Sequence, residues 1–180
     1  QRQSELYAEM LLRILALQEE GRGRLDRGLE LESRFLEREA EIPAHAFFLD
    51  DASGLSPYNL LTPEAVVKLL GYVLQQPWRE AFLDAMAQTG KGTLRSWPKG
   101  LGLRAKTGTI QHTIGLAGYL RPESEEPVIF AVFLNHWSGP RSAARAEVRR
   151  LVTHWHQCTE TPEVACASRV TRSGPKAASG

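Results

Sequence analysis

The sequence is poor in cysteine: among 180 residues only Cys158 and Cys166 occur, both near the C-terminal end. Two cysteines exclude a disulfide-framed mini-domain, and neither has a His or Cys partner at a zinc spacing, although His154 and His156 are near. The pair is expected to stay unpaired or to staple the tail in an oxidising compartment, so no metal is expected. Long apolar runs are missing too, and no stretch reaches the length of a membrane span. Charge is nearly balanced, with 22 Lys and Arg against 21 Asp and Glu and a net charge of +1. The basic residues form no strong patch, which speaks against a nucleic-acid partner. No secretory signal is visible. The chain opens on Gln1 rather than on methionine, and part of a longer chain is expected. Internal repeats are absent.

What is present suits one domain with a real core, since 42% of residues are hydrophobic and 24% charged. Leu6, Met10, Leu11, Ile14, Leu15 and Leu17 recur at helical spacing between about Ser4 and Glu20, before Gly21-Arg22-Gly23 ends the helix. A second helix is predicted from about Asp26 to Ala40, with Leu29, Phe35 and Leu36 inward and Pro43 as its stop. Ala46 to Leu49 reads as a short buried strand, and Asp50 to Asn59 as a turn-rich loop. Thr62-Pro63-Glu64 is a helix start: a capping hydroxyl, a proline at the first helical position and an acid at the positive dipole end. That helix should end near Gln76, and a short one should run from Pro77-Trp78 to about Ala87.

The period then changes from helical to alternating. Leu103 to Thr107, Thr113 to Leu120 and Val128 to Asn135 read as strands, the last two joined by the polar connection Arg121 to Glu126. Gly139-Pro140 opens a final helix with Val148, Leu151, Val152 and Trp155 inward and Arg145, Arg149 and Arg150 toward solvent. Residues 1–158 are assigned to the domain and 159–180 to a disordered tail. The order of elements predicts an α/β (α+β) fold in which helices pack on an antiparallel sheet.

Lys106-Thr107-Gly108-Thr109 is the sharpest chemical feature. A strand-borne ammonium attracts an anionic substrate and can sit beside a nucleophilic hydroxyl. Two threonine hydroxyls can hold a carboxylate, and a glycine lets a substrate backbone lie against the strand edge. A bland alternative is a strand end followed by a turn. Other candidates are weaker. His112 is expected in an exposed loop, His154 and His156 on a surface, and Glu30, Glu32, Glu37, Glu39 and Glu41 on a solvated face. Trp78, Trp97, Trp137 and Trp155 are expected at core or rim.

Lys-Thr-Gly accompanies Ser-x-x-Lys in class A β-lactamases and penicillin-binding proteins, and further segments fit one branch of that superfamily. Leu6-Tyr7-Ala8-Glu9-Met10-Leu11-Leu12-Arg13 is similar to the helix after the second motif of the class C, penicillin-binding protein 4 type D-alanyl-D-alanine carboxypeptidases. Asp51-Ala52-Ser53-Gly54-Leu55-Ser56-Pro57-Tyr58-Asn59 resembles their Asp-Gly-Ser-Gly-Leu-Ser-x-x-Asn loop. Gly92-Thr93-Leu94, Ala105-Lys106-Thr107-Gly108-Thr109 and Leu116-Ala117-Gly118-Tyr119 follow in that family's order.

The resemblance implies a β-lactamase/transpeptidase-like fold, incomplete on its N-terminal side, and acyl transfer by a serine on peptidoglycan stem peptides. β-Lactams would be inhibitors, no cofactor would be needed, and the location would be periplasmic or cell-wall associated. Lys106 would tune the site and help move protons, Thr107 and Thr109 would hold the terminal carboxylate, and Gly108 would permit close approach.

The sequence departs from the family twice. Gln3-Ser4-Glu5 stands where Ser-x-Asn belongs, so either Gln3 and Glu5 take those places or, with a one-residue slip, Ser4 and Leu6 do. The nucleophile motif is matched only in letters, by Ser96-Trp97-Pro98-Lys99 and Ser173-Gly174-Pro175-Lys176, each with a proline where a helical turn is needed. Hence the chain is expected to be inactive alone, to lack an N-terminal half that would cover an exposed sheet face or edge, and to be poorly soluble. A catalytically silent homologue that binds peptidoglycan or a partner protein is the alternative. An unrelated helix-rich interaction domain is a third reading.

Overall fold

The computed structural model describes residues 2–110 and 112–160, with side chains from residue 5 to residue 159. The chain opens with an antiparallel helical pair, α1 (Arg2–Glu20) and α2 (Leu25–Arg38). Their crossing is close because Gly28 has no side chain: a Cβ there would lie 2.6 Å from Leu12 Cγ and 2.8 Å from the Leu12 carbonyl oxygen. Leu12 and Ala16 are buried, but Leu6 is 61% exposed and Leu11 62%, and Tyr7, Met10, Ile14, Leu15 and Leu17 are exposed beside them. The apolar periodicity that predicts this helix therefore belongs largely to a face that no described residue covers. Phe35 is exposed as well, against expectation, with its ring edge-on to Tyr72 at 5.4 Å.

After α2, Leu36, Ala40, Ile42, Ala46 and Ala65 make a small core. The buried strand expected at Ala46 to Leu49 is reduced to β1 (Phe47–Phe48), which pairs antiparallel with β2 (Leu60–Leu61), and Phe48 is exposed. Between them runs the 50–59 loop. Helix α3 (Pro63–Leu74) begins as the sequence predicts: Ala65 N donates to the Thr62 hydroxyl at 3.1 Å, and Pro63 occupies the first helical position. Helix α4 (Arg79–Ala85) is shorter than expected.

The main sheet has three antiparallel strands in the order β3 (Leu103–Ile110), β4 (Thr113–Leu120), β5 (Val128–Asn135). Strand alternation sends Leu103, Ala105, Leu116 and Phe130 to one face, where they pack on Ala144, Val148 and Val152 of helix α5 (Arg141–Glu160). Tyr119, Ala117 and Ile129 face the other way, onto Leu70 of α3 and Leu83 of α4. The Tyr119 hydroxyl donates to the Leu70 carbonyl at 2.9 Å, and burial pushes its pKa up to about 12. The layered α+β architecture thus matches the sequence reading.

Three boundaries or placements differ. β3 runs past Thr107 to Ile110 because β4 supplies a partner for each residue, through Ile110 opposite Thr113. Helix α5 continues through Glu160, so the expected tail starts too early at Thr159. Its remainder, residues 161–180 with Cys166, lies outside the described residues. His156 is buried rather than on the surface, on the α5 face that carries Val152 to the sheet.

Candidate active site

Lys106, Thr107, Gly108 and Thr109 lie within β3 rather than at its end. β3 is an edge strand, and its outer side is used unevenly. Thr89 N donates to the Leu103 carbonyl at 3.2 Å, and Ala105 N donates to the Ala87 carbonyl at 2.9 Å. The Gln88–Arg104 bridge sits between these bonds. With a two-residue period, the next backbone groups to face outward are those of Thr107 and Thr109. There the covering segment has ended. The Lys106 ammonium donates to the Thr107 carbonyl at 2.7 Å, so the strand's own lysine occupies one outward acceptor. Lys106, Gly108 and Thr109 are exposed and Thr107 is half-buried. A Cβ added to Gly108 would meet no atom within 4 Å.

The strand is held firmly upstream of this edge. A Cβ on Gly118 would lie 2.1 Å from the Arg104 carbonyl oxygen and 2.6 Å from Ala105 Cα, so β4 passes β3 closer than any side chain permits. On the face shared with Lys106, Arg104 Nη1 donates to the Leu83 carbonyl at 2.8 Å and to Asp84 at 3.1 Å, while Nη2 reaches Glu123 at 3.2 Å. The Arg104 side chain is 17% exposed, so one guanidinium ties α4 and the β4–β5 connection to the strand two residues before Lys106. The alternation of β3 marks Arg104 as facing away from the α5 core, but nothing in the sequence names its partners.

The 50–59 loop is organised by Asp51 and Asn59. Asn59 Oδ1 accepts from the backbone N–H of Asp50 at 2.7 Å and of Asp51 at 3.1 Å, and its amide donates to Asp51 at 2.5 Å. Partial burial works to raise the Asp51 carboxyl. Hydrogen bonds from Ser53, Asn59 and the Gly54 and Ser56 N–H groups outweigh it, so the pKa is lowered. Ser53 and Ser56 are turn residues, as expected: Ser53 accepts from Leu55 N at 3.1 Å and Ser56 from Tyr58 N at 3.1 Å. Glu9 of α1 accepts from Ala52 N at 2.9 Å and Ser53 N at 3.2 Å, which fastens the loop to α1. Sequence reasoning places Glu9 in the helix but misses this role.

The remaining candidates divide. Ser4 lies in the first turn of α1, its side chain outside the described residues. Ser96 and Lys99 sit on separate turns around Pro98, the Lys99–Leu101 turn being a single 3-10 turn, so no helix aligns them. Ser96 instead accepts from Arg149 at 3.1 Å. Ser173 and Lys176 lie outside the described residues. His112 is exposed at a φ of 58°, its Nδ1 3.1 Å from the Trp137 carbonyl. Glu32 departs from the solvated face assigned to it: it is half-buried, one carboxylate oxygen has no hydrogen-bond partner among the described residues, and burial raises its pKa. Arg149, expected in solvent, lies half-buried over Trp97, 5.5 Å from the ring. Cys158 Sγ lies 3.7 Å from His154 Nε2, and the described residues include no cluster of three or more His, Cys, Asp or Glu able to hold a metal. Among them no helix is long and apolar enough to cross a membrane.

The chain is similar over most of its length to known proteins. A D-alanyl-D-alanine carboxypeptidase of Actinomadura sp. is 32% identical over 148 residues, which are 77% of this chain and 27% of that protein. The crystal structure of penicillin binding protein 4 (dacB) from Haemophilus influenzae matches with a TM-score of 0.63 and 26% identity, covering 74% of this chain and 31% of that one. The structure of the same Haemophilus influenzae protein complexed with a β-lactam matches with a TM-score of 0.69 at 24% identity, covering 83% of this chain and 38% of that one. The chain therefore spans about a quarter to two-fifths of these relatives. The model of the D-Ala-D-Ala carboxypeptidase 3 (S13) family matches residues 1–156. This chain belongs to that family.

Proposed function

We propose that this chain forms the substrate-binding strand and supporting helices of a serine-type D-Ala-D-Ala carboxypeptidase, with endopeptidase action included, on peptidoglycan stem peptides. The observation that carries the reading is the outer edge of β3 at Thr107 and Thr109, bare among the described residues, with open space beside Gly108 and the Lys106 ammonium upon it. An extended stem peptide would add to this edge as a strand. Its terminal carboxylate would take hydrogen bonds from the Thr107 and Thr109 hydroxyls and draw the Lys106 ammonium off the Thr107 carbonyl. A serine supplied by another part of the protein would attack the carbonyl between the two D-alanines, expel the terminal D-alanine and form an acyl-enzyme that water releases.

The face of α1 and the outer edge of β5, both uncovered among the described residues, support the view that more protein packs here. β-Lactams would acylate the same serine, as a β-lactam complex of the Haemophilus influenzae relative makes reasonable. Action on peptidoglycan stem peptides would put the protein outside the cytoplasmic membrane, in periplasm or cell wall.

Gln3 and Glu5 in the Ser-x-Asn place favour a second reading, a silent homologue that binds stem peptides without cleaving them. Release of D-alanine from a stem pentapeptide by the protein at its full natural length separates the two. Turnover, lost in Gly108→Leu while the melting temperature holds, supports the enzyme. Saturable binding with no release of D-alanine supports the silent homologue.

A further inference from the structure

The three arginines assigned to solvent on α5 do not point apart. Arg145, Arg149 and Arg150 line one open cleft of about 750 Å³, together with Ser96, Ser142 and Thr153. The positions follow helical spacing, so successive turns present their polar groups to one groove. Glu147 is the acid that bonds here, holding Arg150 at 2.9 Å. Arg145 has no such partner among the described residues.

Arg149 is pre-set rather than mobile. Its guanidinium lies over Trp97 at 5.5 Å, one amino group donates to Ser96 at 3.1 Å, and its Nε is buried without a hydrogen-bond partner among the described residues. Trp97 itself packs against the main core. A stacked guanidinium loses little freedom when its amino groups take an oxyanion. The groove belongs to the α5 side of the sheet, whereas Lys106 shares the opposite face with Arg104.

We infer that this groove is a binding site for a linear phosphodiester polymer, separate from the peptidase edge. Two guanidinium groups and several hydroxyls on successive turns of α5 can take more than one anionic group at once, as a phosphodiester repeated along a chain provides, and the guanidinium fork suits phosphate oxygens. The lining, which runs along α5 from Ser142 to Gln157, exceeds what a single ion needs. The inference rests on these residues alone and not on the peptidase proposal.

Titration calorimetry at low salt tests it, using the protein at its full natural length with poly(glycerol phosphate), poly-L-glutamate, single-stranded DNA and inorganic phosphate as probes. Poly(glycerol phosphate) should bind best, and Arg145→Glu should weaken it by roughly tenfold or more and lower the salt slope by about one or more. Arg149→Lys, which keeps the charge but not the fork, should also weaken it, and Arg145→Glu should leave fluorescent-penicillin labelling unchanged. Undiminished binding in Arg145→Glu overturns the site. Equal binding of poly-L-glutamate or inorganic phosphate overturns the polymer, and tighter binding of DNA overturns it in favour of nucleic acid.

Discussion

Two glycines on the paired strands β3 and β4 should answer the same substitution in opposite ways. An alanine methyl at Gly118 would begin 2.1 Å from the Arg104 carbonyl oxygen and 2.8 Å from the Ala105 Cβ. Ordinary contact needs a further ångström or so, and the obstacle is backbone held by Arg104 and by the Ala105–Ala87 hydrogen bond. β3 must then move off β4, so Gly118→Ala should cost about 2–4 kcal/mol, at and above the usual range for overpacking. For a domain of this size that lowers the melting temperature by roughly 5–12 °C. At Gly108 a Cβ meets nothing within 4 Å. Gly108→Ala should therefore hold or gain about 0.5 kcal/mol through a less flexible unfolded chain, while weakening stem-peptide binding. Urea or thermal melts by circular dichroism, with peptide binding on the same samples, read both effects. A stable Gly118→Ala, or a Gly108→Ala that is equally destabilised, would refute the packing argument.

Tyr119→Phe should cost about 0.5–1.5 kcal/mol, because it removes the buried hydroxyl's hydrogen bond to the Leu70 carbonyl, which keeps its place in α3. In the parent protein the phenol has a pKa of about 12, above its ordinary 10.0. It binds its proton more tightly folded than unfolded, so its contribution is whole below pH 10 and lost on rising toward pH 12, on the order of 2–3 kcal/mol. Alkaline melts of the parent and of Tyr119→Phe should converge over that window. Asp51 works in the other direction: its folded pKa is lowered, so its contribution is present above the ordinary value of 3.8 and fades as pH falls through the folded one. Asp51→Asn should flatten the acid dependence of stability and speed hydrogen exchange in the 50–59 loop. Lysines in place of Leu11 and Leu15, both exposed on α1, should raise the solubility of the 180-residue chain without lowering its melting temperature.

The sheet was readable because each strand carries its own alternation. Leu103 and Ala105, then Ile114 and Leu116, mark the α5 face, and Tyr119 marks the other. The far end of β3 was not readable, since Gly108 interrupts the alternation and only pairing with Gly115 across β4 extends the strand. The Lys106 segment was legible as a motif, but the bareness of its edge depends on where residues 87–89 stop, which is tertiary. Glu9 beneath the 50–59 loop and Arg149 over Trp97 join residues more than forty positions apart, and no local pattern signals such pairs. The face of α1 misleads for a different reason. Its periodicity is real, but the surface that it fits is not among the described residues.

The most direct test of the account is covalent labelling of the protein at its full natural length by a fluorescent penicillin, compared with Lys106→Ala. The account predicts a labelled band for the parent protein and labelling slowed by roughly a hundredfold or more in the variant, with an unchanged melting temperature, because on the proposed reading the lost charge would face the reacting group. Folded parent protein that takes no label, or a Lys106→Ala variant that labels at the parent rate, would contradict it.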